Sequence, residues 1–272
     1  MFNYVGDKIS SFIKALTSSV FTIGGHIPKT IAIIMDGNRR YAVKKKVEKI
    51  KGHEEGLSKL LQVISWCLDF KIKELTVFAF SIDNFNRPKE EVDSLMKLAQ
   101  EKFAKLSEKN EYLNKYGVKV CFYGNLDYLA EDMKACFINM QKNTENNKNV
   151  KLNVCFSYNS NEEIHSSVEK MQINPEKHDN TTKREAFESG FYGGCNCNPD
   201  ILIRTSGEVR LSNFLLYQTR FSMLFFLDTY WPDFSYMDFI NILIRYNINF
   251  NSHVRLIKEL EEKNGLPIRN FG

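Results

Sequence analysis

The sequence predicts a single α/β domain with a central, mostly parallel six-stranded sheet flanked by helices. Three observations lead to this prediction. Apolar runs typical of strands recur at residues 31–35, 75–80, 118–123, 152–157, 201–203 and 223–227. Segments with helical periodicity lie between most of them, which is the alternation that builds parallel sheets. No internal repeat or linker divides the chain, so one domain is the simpler interpretation.

The helical segments are defined by apolar residues that recur every three or four positions. They cover residues 55–70, 89–116, 127–143, 162–172, 183–189, 236–248 and 253–263. The longest begins after Pro88, where Glu90 and Glu91 add the acidic first turn typical of a helix start. An amphipathic pattern over the first 22 residues predicts a helix that lies on a membrane surface or packs on the core. We therefore expect an N-terminal helix at 1–24, a main domain at 25–250 and a helical tail at 251–272.

Composition indicates a globular protein. Any anion binding would come from local basic residues and not from the overall charge. Of the 272 residues, 43% are hydrophobic, which is enough for a sizeable core. The 37 basic and 33 acidic residues leave a net charge of +4, too balanced for nucleic-acid binding through the overall field. No run reaches the ~18 apolar residues of a membrane span. Most cysteines lie inside apolar patterns, as reduced thiols do, and Cys195-Asn196-Cys197 alone is a weak zinc signal.

The segment IAIIMDGNRR, residues 31–40, carries the first chemical signal. Its apolar part predicts a strand buried on both faces, and Asp36 follows at the carboxyl end, where open α/β sheets bind ligands. Gly37 lets the backbone approach a ligand. Asp36 suits a hard cation such as Mg²⁺, while Arg39 and Arg40 suit phosphate oxygens. The alternative is an ordinary strand-to-helix turn with Asp36 as the helix N-cap.

Further polar clusters follow other strands or open the first long helix. Their members are Lys49, His53, Asn84, Arg87, Arg204, Arg210 and Ser212. Because the carboxyl ends of parallel strands meet at one edge of a sheet, these side chains and Asp36 are expected around one crevice. Its arginines would bind more than one phosphate. Taken singly, each residue has a structural alternative, such as capping or pairing within its own loop.

These motifs resemble those of the cis-prenyltransferases. The matching segments are residues 33–42 (IIMDGNRRYA), 52–53 (GH), 80–96 (FSIDNFNRPKEEVDSLM), 200–218 (DILIRTSGEVRLSNFLLYQ) and 231–234 (WPDF). They occur in the family's order, and the DGNRRYA form looks most like the eukaryotic dehydrodolichyl diphosphate synthase catalytic subunits. The resemblance extends over about residues 28–250 and implies the undecaprenyl diphosphate synthase-like fold, an α/β domain with a hydrophobic tunnel.

The resemblance implies a role for each residue. Asp36 would help to hold Mg²⁺, and the expected catalytic residues are Asp36, Asn84 and Arg87, with Asn84 at the position linked with proton removal. The allylic diphosphate would bind to Gly37, Asn38, Arg39, Arg40, Lys49 and His53. The isopentenyl diphosphate would bind to Arg87, Arg204, Arg210 and Ser212. An apolar stripe would line the tunnel or form plain core, and it consists of Leu57, Val92, Leu95, Met96, Ala99 and Phe103.

The implied activity is Mg²⁺-dependent condensation of farnesyl diphosphate with successive isopentenyl diphosphates. The product would be a long-chain polyprenyl (dehydrodolichyl) diphosphate for dolichol synthesis and protein glycosylation. The resemblance also implies peripheral attachment to the cytoplasmic face of the endoplasmic reticulum membrane. The alternative is a catalytically weak or silent subunit that acts as a scaffold in a heteromer. Silent partners of this family lose the DGN aspartate and most arginines, whereas this chain keeps them.

The chain departs from the family pattern at three places. Lys49 stands where the family often has arginine, and Met223 stands where single-subunit bacterial enzymes have a glutamate involved with Mg²⁺. Ser252-His253-Val254 stands where those enzymes carry an Arg-x-Gly motif. Eukaryotic catalytic subunits share the last two losses and obtain the motif from a Nogo-B-receptor-like partner. We therefore expect a heteromer, with a homodimer that uses its own tail as the alternative.

Overall fold

The structure is a computed structural model that describes residues 25–108, 110–173, 182–194 and 198–263. The amphipathic segment 1–22, the cysteine pair at 195–197 and residues 264–272 lie outside the described residues. Contacts divide the chain into two compact units. One is Lys29–Phe234, and the other combines the two ends, Met1–Pro28 and Ser235–Gly272. The predicted boundaries after residues 24 and 250 stay a prediction.

The unit Lys29–Phe234 is built on the predicted sheet, and all six strands run parallel in the order β3-β4-β2-β1-β5-β6. The strands are β1 (Thr30–Ile34), β2 (Glu74–Ser81), β3 (Val118–Tyr123), β4 (Val150–Tyr158), β5 (Ile201–Arg204) and β6 (Met223–Phe226). In β1, Ala32 and Ile33 are fully buried, as expected for a central strand covered on both faces. The predicted fold class is confirmed.

The helices fill the intervals between the strands. They are α1 (Asn38–Lys45), α2 (Lys49–Asp69), α3 (Lys89–Glu108), α4 (Asn110–Lys115), α5 (Glu131–Asn143), α6 (Ser160–Ile173), α7 (Lys183–Ser189) and α8 (Tyr236–Lys263). Helix α1 was not predicted as a separate element, and α2 begins six residues before the predicted start at 55. Within the predicted helix 89–116 the structure describes α3 and α4, and residue 109 between them lies outside the described residues. Short 3₁₀ turns occur at Ile82–Asn86, Leu126–Tyr128 and Trp231–Asp233.

The topology predicts a ligand site at the boundary between β1 and β5. These strands are neighbours, and their onward connections run in opposite directions, from β1 to β2 and from β5 to β6. Ile34 pairs in register with Arg204, so Asp36 emerges beside the first residues of the loop after β5. A crevice outside the carboxyl ends at such a switch point is where open α/β sheets bind ligands.

In the unit of the two ends, α8 is one continuous helix where two were predicted, at 236–248 and 253–263. Its first turn is capped reciprocally by Ser235 and Asp238 through hydrogen bonds of 2.9 and 3.1 Å. The helix continues through residues 249–252, where Asn249 donates its side-chain amide to the Arg245 carbonyl at 2.7 Å. In the same unit, the His26 ring stacks on Phe250 at 3.8 Å between centroids.

Candidate active site

A cavity of about 1120 Å³ opens at the carboxyl edge of the sheet in the unit Lys29–Phe234. It is lined by every residue predicted for catalysis or diphosphate binding, namely Asp36, Gly37, Asn38, Arg39, Arg40, Lys49, His53, Asn84, Arg87, Arg204, Arg210 and Ser212. The other cationic lining residues are Lys44 and Lys102, and the carboxylates are Asp36, Asp83 and Glu208. Cations therefore predominate, which suits anionic ligands.

Asp36 and Arg204 form the most buried ion pair of the mouth. The Asp36 Oδ2 atom accepts a hydrogen bond from Arg204 Nη2 at 2.8 Å, and the Arg204 side chain is only 4% exposed. Arg204 Nη1 donates to Ser212 Oγ at 2.8 Å and to the Arg210 carbonyl at 2.5 Å. Arg204 thus connects Asp36, just after β1, to the loop that carries Arg210 and Ser212. Bonds to an ionised donor and acceptor are the strong ones, so this part of the mouth is rigid.

Gly37 allows the turn that points the start of α1 towards this pair. Its φ of 104° is a left-handed conformation that favours glycine, and its N–H donates to Asp36 Oδ1 at 2.7 Å. A Cβ atom there would lie 2.9 Å from Ser206 Oγ and 3.0 Å from a Tyr230 ring carbon. Arg40 reaches from α1 to the Ser206 carbonyl at 3.0 Å. Asn38, Arg39 and Arg40 of the first turn of α1 line the cavity, and the N-terminus of a helix suits an anion.

Two carboxylates that were not among the predicted site residues pair with the cationic side chains of the mouth. Glu91 Oε1 lies 3.4 Å from Arg39 and 3.3 Å from Arg87, and its Oε2 lies 3.6 Å from Lys49. Glu208 pairs in the same way with Arg40, at 3.3 Å, and with Arg210. The Arg39, Lys49 and Arg210 side chains are between 51% and 63% exposed, so these contacts are weak in water.

His53 lies among these cations as a neutral ring. Burial lowers the pKa of His53 to about 4, and the charge of Arg87 adds to the effect more than Glu91 opposes it. Burial, together with the charge of Arg39, also lowers the pKa of Arg87. A charged histidine here would face the guanidinium groups of Arg87 and Arg39. An incoming anion would supply the missing negative charge and raise the pKa of His53.

Asn84 is fixed by the 3₁₀ turn that follows β2. Its Oδ1 accepts a hydrogen bond from the Ser81 N–H at 3.1 Å, while Ser81 Oγ accepts from the Asp83 N–H at 3.1 Å. This reciprocal cap engages the Asn84 oxygen, and Asn84 lines the cavity. An amide NH₂ donates hydrogen bonds and does not accept protons.

The apolar wall contains four of the six residues predicted for the tunnel. Leu57 of α2 and Leu95, Ala99 and Phe103 of α3 line the cavity, but Val92 and Met96 do not. Val92 lies one turn before the exposed part of the stripe, and Met96 is turned by about 100° from Leu95 around the helix. The sequence also missed wall residues from the sheet and both helices, namely Leu60, Phe78, Phe80, Leu98, Val154 and Phe156.

A buried carboxylate behind the mouth was missed as well. Glu163 at the start of α6 is 2% exposed and accepts hydrogen bonds from Tyr158 Oη at 2.5 Å, Gln218 Nε2 at 2.8 Å and the Tyr192 N–H at 3.0 Å. Burial raises the pKa of Glu163. Next to it, Ser160 Oγ accepts from the Leu216 N–H at 2.9 Å. Helix α6 thereby fixes the loop that carries Ser212. A Ser-x-x-Glu helix start was visible in the sequence, but its distant partners were not.

Asp36, the residue predicted to hold a metal, lies at the mouth of the cavity. Among the described residues, no group of three or more His, Cys, Asp or Glu side chains is placed to hold a metal ion. Mg²⁺ is commonly held by one or two carboxylates, with the rest supplied by substrate phosphates and water, so a lone Asp36 beside an anion site fits. Met223 pairs with Ile201 at the amino-terminal end of β6 and does not line the cavity. That Met223 stands in the place of a glutamate involved with Mg²⁺ stays a prediction.

Within the described part of the chain, no helix has the length and apolar character needed to cross a bilayer. Of the six cysteines, the four described ones are free thiols, and two of them, Cys67 and Cys155, are buried.

Comparisons with known proteins identify relatives of this chain. The family described as "Putative undecaprenyl diphosphate synthase" matches residues 34–252. The dehydrodolichyl diphosphate synthase complex subunit DHDDS of Homo sapiens is 42% identical over 83% of this chain and 68% of the human protein. A tritrans,polycis-undecaprenyl-diphosphate synthase (geranylgeranyl-diphosphate specific) of Thermococcus kodakarensis is 40% identical over 89% of this chain and 91% of its own.

The fold is also similar to that of a solved structure. The crystal structure of lavandulyl diphosphate synthase from Lavandula x intermedia, in complex with dimethylallyl diphosphate, superposes with a TM-score of 0.74 at 28% identity. The match covers 81% of this chain and 95% of that structure. Fold and site together define a parallel α/β enzyme with an anion-binding mouth and an apolar interior.

The chain belongs to the undecaprenyl diphosphate synthase family of prenyltransferases. It is an enzyme that transfers prenyl groups, and the alternative of a silent scaffold subunit is not needed.

Proposed function

We propose that this chain condenses farnesyl diphosphate with successive isopentenyl diphosphates to a dehydrodolichyl-type polyprenyl diphosphate. One observation carries the proposal. A single cavity combines a cationic mouth at the switch point of the sheet with an apolar interior between α2 and α3. The mouth suits diphosphates and the interior suits a growing hydrocarbon. The product class is supported by the human relative, which is named a dehydrodolichyl diphosphate synthase complex subunit.

The allylic diphosphate is proposed to bind at the start of α1. Gly37, Asn38, Arg39 and Arg40 would surround it, with Lys49 and His53 beyond. Ionisation of the carbon–oxygen bond places negative charge on the leaving diphosphate, and fixed guanidinium and N–H donors stabilise that charge where it develops. Asp36 keeps Arg204 oriented at 2.8 Å and joins this part of the site to the second one.

The isopentenyl diphosphate is proposed to bind on the other side, between Arg87, Arg204, Arg210 and Ser212. Its double bond then attacks the allylic carbon, a new carbon–carbon bond forms and a proton leaves. Because the Asn84 oxygen already accepts a hydrogen bond from Ser81, we assign Asn84 the role of a donor that orients a phosphate oxygen. That oxygen would take the proton, since an amide is a poor base.

Mg²⁺ is the proposed cofactor, with Asp36 as its protein ligand. When bound, it would neutralise charge on the leaving diphosphate. One carboxylate ligand from Asp36 is compatible with a metal that takes its remaining ligands from phosphate and water.

The partner and the location extend the proposal. The human relative is named a complex subunit, which favours a heteromer with a Nogo-B-receptor-like partner. A homodimer that uses its own tail is the alternative. We also propose peripheral attachment at the cytoplasmic face of the endoplasmic reticulum membrane, with no nucleic-acid partner.

The test is incorporation of radiolabelled isopentenyl diphosphate by the purified chain, with product sizes determined after dephosphorylation. Farnesyl and geranylgeranyl diphosphate are compared as primers, because the archaeal relative is named for the latter. Each is assayed with Mg²⁺ or EDTA, and with or without the candidate partner. We expect Mg²⁺-dependent elongation that the partner increases. Robust elongation by the chain alone would contradict the heteromer, and no elongation under any condition would contradict the function.

A further inference from the structure

The rim of the cavity mouth carries exposed valines among basic side chains. Val43 of α1 is 70% exposed and is one of the residues that line the cavity. Val209 is 75% exposed and lies between Glu208 and Arg210, which both line the cavity. Arg40, one turn before Val43 in α1, pairs with Glu208 at 3.3 Å, so the loop of Val209 lies beside α1. Two apolar side chains thus lie in solvent at the edge of a cationic mouth.

A basic turn between α1 and α2 continues this rim. Residues 44–51 read KKKVEKIK, with five lysines and one glutamate. Lys46 follows α1 with a φ of 57°, the left-handed position that glycine normally fills at a helix end. Its N–H donates to the Val43 carbonyl at 3.1 Å, and the Val47 N–H donates to the Ala42 carbonyl at 3.0 Å. The Val47 side chain is 41% exposed and adds a third valine to the rim.

Three of the lysines have no acidic partner in the described part of the chain. Lys49 and Lys51 pair with glutamates of α3 and α2. The lysines at 44–46 are exposed, and none of the described carboxylates pairs with them. Lys44 and Lys45 each have their Nζ atom 5.6 Å from the centre of a tyrosine ring, which does not neutralise the charge. The rim therefore combines apolar side chains with positive charge that is open to a partner.

This combination suits the surface of an anionic lipid bilayer. Lysines near such a surface are attracted by its negative potential, and exposed apolar side chains enter the boundary between headgroups and acyl chains. A nucleic acid would be attracted by the lysines but would gain nothing from the valines. A bilayer makes use of both.

We propose that the rim formed by Val43, Val47, Val209 and the lysines at 44–46 docks the cavity mouth on an anionic lipid bilayer. The docking is independent of the reaction, but its consequence for the product rests on the proposed function. A diphosphate released at a docked mouth lies at the level of the lipid headgroups. Its hydrocarbon can then pass from the apolar cavity into the bilayer without exposing its apolar surface to water.

The experiment measures binding of the full chain to vesicles by co-sedimentation. The vesicles consist of phosphatidylcholine alone or of phosphatidylcholine with phosphatidylserine. We expect the wild type to prefer the anionic vesicles, with binding that falls in high salt. The double variant Lys45→Gln/Lys46→Gln should bind them about tenfold or more weakly. Val47→Ser/Val209→Ser should lose roughly threefold or more, because the charges remain and only the apolar contact is removed.

Each double variant has a matched control elsewhere on the unit Lys29–Phe234. Lys73 and Lys148 are exposed and precede β2 and β4, so Lys73→Gln/Lys148→Gln removes the same charge at the opposite edge of the sheet. Ile138 and Ile173 are 55% and 75% exposed on α5 and α6, so Ile138→Ser/Ile173→Ser removes two exposed apolar side chains away from the rim. Neither control should change vesicle binding by more than about twofold.

Equal losses in the two lysine variants would overturn the docking rim, because only net charge would then matter. Unchanged binding of Lys45→Gln/Lys46→Gln would also overturn it and would assign vesicle binding to another part of the chain. So would equal binding of the wild type to both kinds of vesicle. If Lys45→Gln/Lys46→Gln does not fold, Val47→Ser/Val209→Ser decides by the same measure. Absence of elongation by a wild-type chain that binds anionic vesicles would overturn the proposed function and leave the docking intact.

Discussion

The two halves of the cationic mouth are built in different ways. Around Arg204, a buried guanidinium makes three hydrogen bonds of 2.5 to 2.8 Å to Asp36, Ser212 and the Arg210 carbonyl. Around Glu91, one carboxylate is shared by Arg39, Lys49 and Arg87 at 3.3 to 3.6 Å. The first half is rigid before any ligand binds. In the second half, an anion can replace Glu91 as the partner of the three cations, because this carboxylate holds them only weakly. This suits the substrate whose diphosphate must leave.

Arg204→Met should have the largest effect on stability. It leaves Asp36 without its buried partner and cuts the loop of Ser212 from β5, so we expect the free energy of unfolding to fall by about 3 kcal/mol or more. Urea denaturation measures this. Arg210→Met is the control, since its side chain is 62% exposed and its loss should change stability by no more than about 0.5 kcal/mol. Equal losses in both variants would contradict the rigid half.

Glu163→Gln tests the support behind the rigid half. A neutral amide cannot accept from Tyr158, Gln218 and Tyr192 together, so stability should fall by about 1–3 kcal/mol. The KM for isopentenyl diphosphate should rise more than kcat falls, because Ser212 is displaced while the reacting atoms are not touched. Glu169→Gln on the exposed side of the same helix is the control. A lower kcat with unchanged KM would argue against this positioning role.

Glu91→Gln tests the loosely held half. Without its charge the three cations are freer to bind an anion, and exposed pairs of this kind are worth about 0.2–1 kcal/mol. We expect inorganic diphosphate to bind up to about fivefold more tightly, with the gain lost in high salt. Isothermal titration calorimetry at two salt concentrations measures it. Weaker binding at low salt would show that Glu91 organises the cations instead of competing for them.

The smallest effect near neutral pH is expected from His53. Its pKa is lowered from 6.5 to about 4 in the folded protein, so between these values the unfolded state binds more protons. The free energy of unfolding should therefore fall as pH falls from 6.5 to 4. His53→Asn should remove this part of the pH dependence, and bound diphosphate should reduce it in the wild type. Identical pH profiles for the wild type and His53→Asn would disprove the assignment.

The fold was predictable because central parallel strands are apolar on both faces, as in Ile31 to Ile34. The edge that gathers Asp36, Arg87 and Arg204 followed from the same reasoning, since strand ends meet at one side of a sheet. What the sequence could not show were contacts between distant residues. Glu91 meets Arg39 across 52 positions, and no local pattern signals that pair.

The sequence also could not show the strand register or which residues of a helix line the cavity. The apolar stripe of α3 was visible, but not which of its residues line the cavity: Leu95, Ala99 and Phe103 do, whereas Val92 is buried in the core, the alternative left open for this stripe. The resemblance gave Met223 a position in the family pattern but no place in the fold, and strand register puts it at the first residue of β6, paired with Ile201. Periodicity gives the face of an element, and only tertiary packing decides what that face meets.

The central claim is that Asp36 and the arginines at the switch point activate the allylic diphosphate. The most direct test is a single-turnover assay of one condensation between farnesyl diphosphate and labelled isopentenyl diphosphate, comparing the wild-type chain with Asp36→Ala. With circular dichroism confirming that the variant is folded, the rate should fall by roughly 10²-fold or more, as it does when one key electrostatic element is lost. An unchanged rate in folded Asp36→Ala would contradict the account.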